Sequence, residues 1–279
     1  MSQVIKAFST MLETQANLND LMGGVQWRNA TLANNQGFDY RRAIFVETAE
    51  GIMHTPYKWW VKNGECNIEQ FKMELIDVTH FLLSFSHVVA RSAAKFYHNR
   101  SGEEYTVTDA MVEAWNNSNK RIADWGDTVA GPMVAIPFIE RVVSNLYGRH
   151  MDSQVTYNTF DLGGAWENLF MAMKTIVPEY TIQNLLTDYL SKAMLNRFRT
   201  EKGSKAHGVT LLDIEWFNNQ QKYLKEWNGR EDVEVLSEII EGMLKEGTLN
   251  SEALYASLNE VYTGELKRVE EKYSQSTSN

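Results

Sequence analysis

Two pairs of acids share a spacing that suits metal chemistry. Glu47 and Glu50 stand three residues apart in AIFVETAEGI, and Glu74 and Asp77 stand three apart in KMELIDVTHFLLSF. Residues three apart lie on one face of an α-helix. Both pairs are set among apolar residues, where an unpaired carboxylate is costly or keeps its proton. A divalent cation removes the mutual repulsion of four such groups. An all-oxygen ligand set suits Mg²⁺, which retains waters and bridges to substrate phosphates. Either pair alone reads equally as a solvated helix edge, whereas two pairs inside apolar helices favour the metal. Asp77-Val-Thr-His80 also has the form of half a di-iron carboxylate site. Such a site needs a second acid-x-x-His and two further glutamates, but the first pair is Glu-x-x-Glu, and His54 lies seven residues beyond Glu47.

A second block, TDYLSKAMLNRFRTEKGSKAHG, is basic. Lys192, Asn196 and Arg199 fall at i, i+4 and i+7, beside an apolar stripe of Leu195 and Phe198. Lys202, Lys205, Lys222, Lys225 and Arg230 follow. A triphosphate needs cations and amide donors at fixed positions, with arginine supplying bidentate contacts and lysine a point charge. The plainer reading is a solvated basic helix face. Near the N-terminus, Gln15 and Asn19 are i, i+4, and their carboxamides offer the donor and acceptor that a base edge requires. They could equally be exposed polar residues of a first helix. Trp27, Trp59 and Trp60 could stack on a base or fill a core. The sequence contains no GxxxxGK[ST], GxGxxG, CxxC or GxSxG, so phosphates fall to metal and side chains rather than to a glycine loop.

These groups require long helices to position them. The chain has 279 residues, enough for one large helical domain, and only four prolines. Its net charge of −9 argues against a general nucleic-acid surface. Its single cysteine, Cys66, excludes an internal disulfide framework and fits a reducing compartment. The N-terminus lacks a signal-peptide pattern, and no run reads as long enough to span a bilayer. The expectation is a soluble, cytoplasmic, all-α protein without membrane or nucleic-acid partners. Periodicity predicts helices over 4–22, 39–54, 67–98 and 186–200. In the third, Leu75, Val78, Phe81, Leu82, Phe85, Val88 and Val89 form the apolar stripe. The chain reads as one domain, with a core of about 1–98 and 186–272 and a helical, mobile insertion of about 99–185. Within the insertion, 126–137 reads as broken by Gly and Pro, and 153–164 as a loop. A polar segment covers 203–230. Helices at 232–246, with Gly247 as C-cap, and 251–272, with Ser251 as N-cap, close the chain.

Taken in order, LETQANLN, ETAE, KWWVK, ELIDVTHFLLS, YLSKAMLNRFRTEKG and WNGRED resemble the dimeric all-α dUTPases, which belong with the MazG-like NTP pyrophosphohydrolases. The resemblance covers about half the chain. It implies a rigid helical core with a mobile part that closes on substrate, a homodimer, and clustered Mg²⁺ ions, two or more per site. It implies hydrolysis of dUTP at the α-phosphate to dUMP and pyrophosphate, which removes dUTP and supplies dUMP. By the same resemblance Glu47, Glu50, Glu74 and Asp77 are metal ligands, and Glu47 positions or deprotonates the attacking water. Gln15, Asn19, Trp59 and His80 fall on base-binding positions. Lys58, Lys192, Asn196, Arg199, Lys205 and Lys225 fall on phosphate- and nucleoside-contacting positions. The sequence departs from the family at Gly203-Ser204-Lys205, where Gly-Tyr-Lys is common, at Val233, at His80, and in an added segment at about 206–221.

Two other functions fit the same residues. One is a dCTP or mixed dCTP/dUTP pyrophosphatase, because a Gln or Asn amide can turn to serve either base; dUDP is a further candidate substrate. The other, of a different class, is a nucleotide-binding regulator that acts through partner contacts.

Overall fold

Helix starts in this chain are written in short polar side chains. Asp39 caps one helix by accepting a hydrogen bond from the Arg41 amide. Thr106 and Asp109 cap another reciprocally, each side chain accepting from the other's amide. Asp161 and Thr181 do the same work for two more. In the computed structural model the described residues are 2–29, 37, 39–58, 60, 66–93, 106–125, 131–147, 161–207 and 226–276. They form an all-α fold of nine helices. In chain order these are α1 (Gln3–Gly23), α2 (Tyr40–Met53), α3 (Ile68–Ala93), α4 (Val107–Trp125), α5 (Pro132–Tyr147), α6 (Leu162–Ile176), α7 (Ile182–His207), α8 (Asp232–Glu246) and α9 (Ser251–Ser276). A short 3-10 turn, Val25–Asn29, follows α1.

The chain divides into two compact units, and the division falls inside α1 and α7. The first comprises residues 1–19 and 25–189. Here α2 packs along α3 and α4 along α6, while α5 and α6 pack on each other, α5 also on α2 and α6 also on α3. An aromatic cluster of Phe8, Trp115, Trp166 and Phe170 fills its interior, with ring centroids 5.2–6.3 Å apart. Six of the seven apolar positions expected on α3 are buried; Phe81 is half-buried. One expectation fails at α3. Residues 68–90 meet the length and mean hydropathy, 1.2, of a membrane span. The sequence passes that test because α3 is covered by protein on several sides, and 61% of the window is buried.

The helical segments expected between 108 and 185 are present, but their breaks lie elsewhere than the sequence suggests. Gly131 (φ 137°) precedes α5, Pro132 opens it, and Pro137 lies inside it on the exposed side. Residues 162–164, expected in a loop, are the first turn of α6. A Cβ on Gly164 would press on the capping carboxylate of Asp161 and on the Asn145 carboxamide, so a larger residue there would have to displace them.

The second unit comprises residues 20–24 and 190–279. It contains the end of α7, a two-stranded hairpin of β1 (Glu226–Trp227) and β2 (Arg230–Glu231), then α8 and α9. The hairpin turns through Asn228 and Gly229 at φ 58° and 76°, the left-handed pair that an Asn-Gly turn supplies. Its Trp227 packs with Phe198 and Tyr262. The boundaries 232–246 and the Gly247 cap, at φ 69°, are as the sequence predicts. The α9 cap is Asn250, not Ser251: its carboxamide oxygen accepts from the Ala253 amide at 2.9 Å. The polar segment 203–230 is helical to His207 and becomes strand at Glu226.

Candidate functional site

The acid pairs meet because α2 and α3 approach closely at a glycine. A Cβ on Gly51 would meet the Phe71 ring at 3.2 Å and Glu74 Cβ at 3.4 Å. Glu47 lies one turn before Gly51 and Glu74 nearly one turn after Phe71, so the contact at Gly51 sets the spacing of the carboxylates. One oxygen each from Glu47, Glu50 and Glu74 lies within 4.8 Å of the other two. Asp77 lies near enough to act electrostatically on Glu47. Burial, then the charge of Asp77, then contact with Glu74 and the charge of Glu50 push the Glu47 carboxyl up to about 8. A carboxylate so displaced is one that a nearby cation would restore to its ionised form. His54 Nε2 stands 3.6 Å from Glu74 Oε1. The donor set is oxygen-rich and clustered, with Glu47 and Glu74 half-buried and Glu50 exposed, and it fits a hard divalent ion.

The expected base-side residues form a buried relay rather than an exposed helix edge. Gln15, Asn19 and His80 are 4%, 8% and 5% exposed. His80 Nδ1 lies 2.7 Å from Gln15 Oε1, and the Tyr189 hydroxyl donates to the same oxygen at 2.9 Å. Gln15 Nε2 donates to Asn19 Oδ1 at 2.8 Å, and Asn19 Nδ2 donates to Ser84 Oγ at 2.8 Å. Ser84 donates onward to the His80 carbonyl at 3.0 Å and also meets the Tyr40 hydroxyl. Burial raises the Tyr189 phenol, which keeps its proton. The His80 and Tyr189 rings lie 4.5 Å apart at 32°.

Lys58 is half-buried, with its ammonium 5.8 Å from the Tyr57 ring centroid. In the second unit Lys192 is buried and Asn196 half-buried, while Leu195 and Phe198 beside them are fully buried. The Arg199 guanidinium grips Asp232 with two hydrogen bonds, of 2.8 and 2.6 Å. Lys205 belongs to α7. Trp59 and Lys225 lie outside the described residues.

Sequence reading missed Tyr189, Ser84 and Tyr40. Ser84 is four residues beyond His80 on α3, a spacing that could have joined it to the set. Tyr189 carries no such signal, since it reaches Gln15 from 174 residues away. Lys174 was also missed. It is 2% exposed and donates to Ser118 Oγ at 3.0 Å and Asn119 Oδ1 at 2.6 Å.

Against known proteins, residues 7–204 match a family model described as dUTPase. That span contains both acid pairs, the relay and the basic stripe of α7; the hairpin, α8 and α9 lie beyond it. No curated protein matches the chain.

Proposed function

The chain belongs to the dUTPase family and is a dUTP diphosphatase; from that premise we propose that it converts dUTP to dUMP and pyrophosphate with Mg²⁺ held by Glu47, Glu50, Glu74 and Asp77. The observation that carries this reading is the convergence of two acid pairs from neighbouring helices, with Glu47 displaced to about 8 by its neighbours. Bound Mg²⁺ ions would neutralise the cluster and offset charge developing on the phosphate. The chain's own groups supply the rest. An ionised Glu47 oxygen accepts a hydrogen bond from the attacking water, orients it toward the α-phosphorus and takes its proton. Gln15 and Asn19, backed by His80, meet the base edge, and Trp59 stacks on it. Lys58, Lys192, Asn196, Arg199, Lys205 and Lys225 serve the nucleoside and phosphates.

A cytoplasmic homodimer completes the proposal. It is supported by the exposed apolar residues Phe45, Val46 and Met53 along α2 and by the single, exposed thiol of Cys66. The decisive experiment follows pyrophosphate release from dUTP as Mg²⁺ is titrated into metal-stripped protein. Turnover should require the ion. Undiminished turnover in excess chelator would overturn the metal assignment.

A further inference from the structure

The relay beneath the base-side residues has an unusual property: nearly every member can either donate or accept. Tyr189 and Ser84 carry hydroxyl rotors, and His80 offers two tautomers. In the orientation described above, Gln15 Oε1 accepts twice, from His80 Nδ1–H and from Tyr189. The remaining N–H of Gln15 Nε2 is then left beside the second lone pair of Asn19 Oδ1, because these two atoms are bonded to each other at 2.8 Å. A donor next to an acceptor complements uracil, whose O4 accepts and whose N3–H donates.

The same heavy-atom positions support a second hydrogen-bond pattern among these side chains. Both carboxamides make a half turn, and His80 moves its ring proton from Nδ1 to Nε2, with no net change in charge. Gln15 Nε2 now donates one hydrogen to His80 Nδ1 and the other to the Tyr189 oxygen. Tyr189 gives its own proton to the Met11 carbonyl, 3.1 Å away. Asn19 Nδ2 donates to Gln15 Oε1, and Ser84 turns its proton from the His80 carbonyl to Asn19 Oδ1. The open pair becomes an acceptor on Gln15 beside a donor on Asn19. That pattern complements cytosine, whose N4 donates and whose N3 accepts. The carbonyls of Met11 and His80 are fixed acceptors, and each pattern uses one of the two.

We infer that Gln15, Asn19, His80, Ser84 and Tyr189 form a hydrogen-bond polarity switch through which one pocket takes both uracil and cytosine deoxynucleoside triphosphates. The inference rests on the proposed assignment of Gln15 and Asn19 to the base. It makes Tyr189 a positioning residue. Replacing it with Phe removes one of two donors to Gln15 in the uracil pattern. In the cytosine pattern it strands an amide N–H, the costlier loss.

The test compares kcat/KM for dUTP and dCTP with Mg²⁺ in wild type, Tyr189→Phe and Gln15→Leu. It also follows the ¹⁵N tautomer signals of His80, assigned by their loss in His80→Asn. Sites with a fixed hydrogen-bond pattern reject the wrong partner by roughly 10⁴-fold or more. Wild type should discriminate by less than about a hundredfold, and Tyr189→Phe should raise the preference for dUTP by roughly tenfold or more. The α,β-imido analogues of dUTP and dCTP should drive His80 toward Nδ1–H and Nε2–H respectively. If Gln15→Leu raises KM for dUTP while Tyr189→Phe lowers both substrates in parallel and both analogues give one tautomer, the switch is wrong and the base assignment stands. If Gln15→Leu alters KM for neither substrate, the base assignment itself fails, and the switch with it.

Discussion

Gly51 presents its bare Cα to Phe71, so that an added methyl would sit 3.2 Å from the ring's Cδ2 atom. This contact draws α2 against α3 at the level where their acids converge. It places a packing constraint, rather than a ligand, in control of the carboxylate spacing.

Gly51→Ala should therefore be tolerated with a small shift of Phe71, while Gly51→Val should push the helices apart. Overpacking of this kind costs about 1–3 kcal/mol. The Mg²⁺ concentration giving half-maximal turnover should rise by roughly tenfold in the valine variant, by comparison with losses seen when ligand-supporting groups are changed. An unchanged Mg²⁺ titration in a folded Gly51→Val protein would show that the spacing is set elsewhere.

The Glu47 carboxyl gives the metal-free protein a specific pH dependence. Its folded-state value, about 8, lies above the ordinary 4.5. The unfolded chain gives up that proton first as pH rises. Stability from this group is thus fully present below about 4.5 and is lost as pH rises toward about 8. The melting temperature of metal-stripped protein should fall across this interval. Glu47→Gln should flatten the profile, as should saturating Mg²⁺. A parallel slope in wild type and Glu47→Gln would remove Glu47 as the cause.

Helix ends and acid pairs were legible in the sequence because their signals are local. Asp232 and Gly247 bracket α8 with a first-turn charge and a left-handed cap, and the observed boundaries coincide with those expected. The acids were visible because a spacing of three inside apolar helices is itself geometric information. The relay was only half visible. Gln15 and Asn19 form a pair by spacing, but their burial depends on Tyr189 and Ser84, which reach them from 174 and 65 residues away. Local punctuation also misled. Pro137 and the glycines of 162–164 read as breaks, yet α5 carries its proline on an exposed side and Asp161 caps α6 through Gly164. The Asn228-Gly229 turn was a strong hairpin signal submerged in a polar segment.

Lys174 should oppose the trend set by Glu47. It is buried against Trp115, with its ammonium 3.3 Å from the ring centroid, and burial lowers it to about 7 from 10.5. The unfolded lysine binds its proton more tightly, so stability from this group is present above about 10.5 and is lost as pH falls through about 7. With saturating Mg²⁺ to silence Glu47, wild type should gain stability relative to Lys174→Met between about pH 6 and about pH 9. Denaturant midpoints for both proteins at the two pH values measure this directly. A constant difference would mean that the contacts to Ser118, Asn119 and Trp115 hold the ammonium charged throughout.

Arg199 has one observed role and one proposed role, and the two can be separated. Its guanidinium makes a bidentate pair with Asp232, whose side chain is 2% exposed at the start of α8. Removing either partner leaves a charge with little water around it. Arg199→Ala and Asp232→Ala should each lower stability by about 1–3 kcal/mol, given that Arg199 retains some solvent contact. The double variant should lose much less than the sum, as residues in direct contact do. Stability alone cannot separate support of α8 from the proposed phosphate contact, but the charge can. Asp232→Asn keeps the guanidinium positive and frees it to meet another anion, whereas Arg199→Ala removes it. If Arg199 serves a phosphate, kcat/KM for dUTP should fall at least roughly tenfold in Arg199→Ala. It should stay within about threefold of wild type in Asp232→Asn, despite comparable loss of stability in the two proteins. If kcat/KM instead falls in proportion to stability in both variants, Arg199 acts only by anchoring α8, and the phosphate assignment must pass to the other cations of the block.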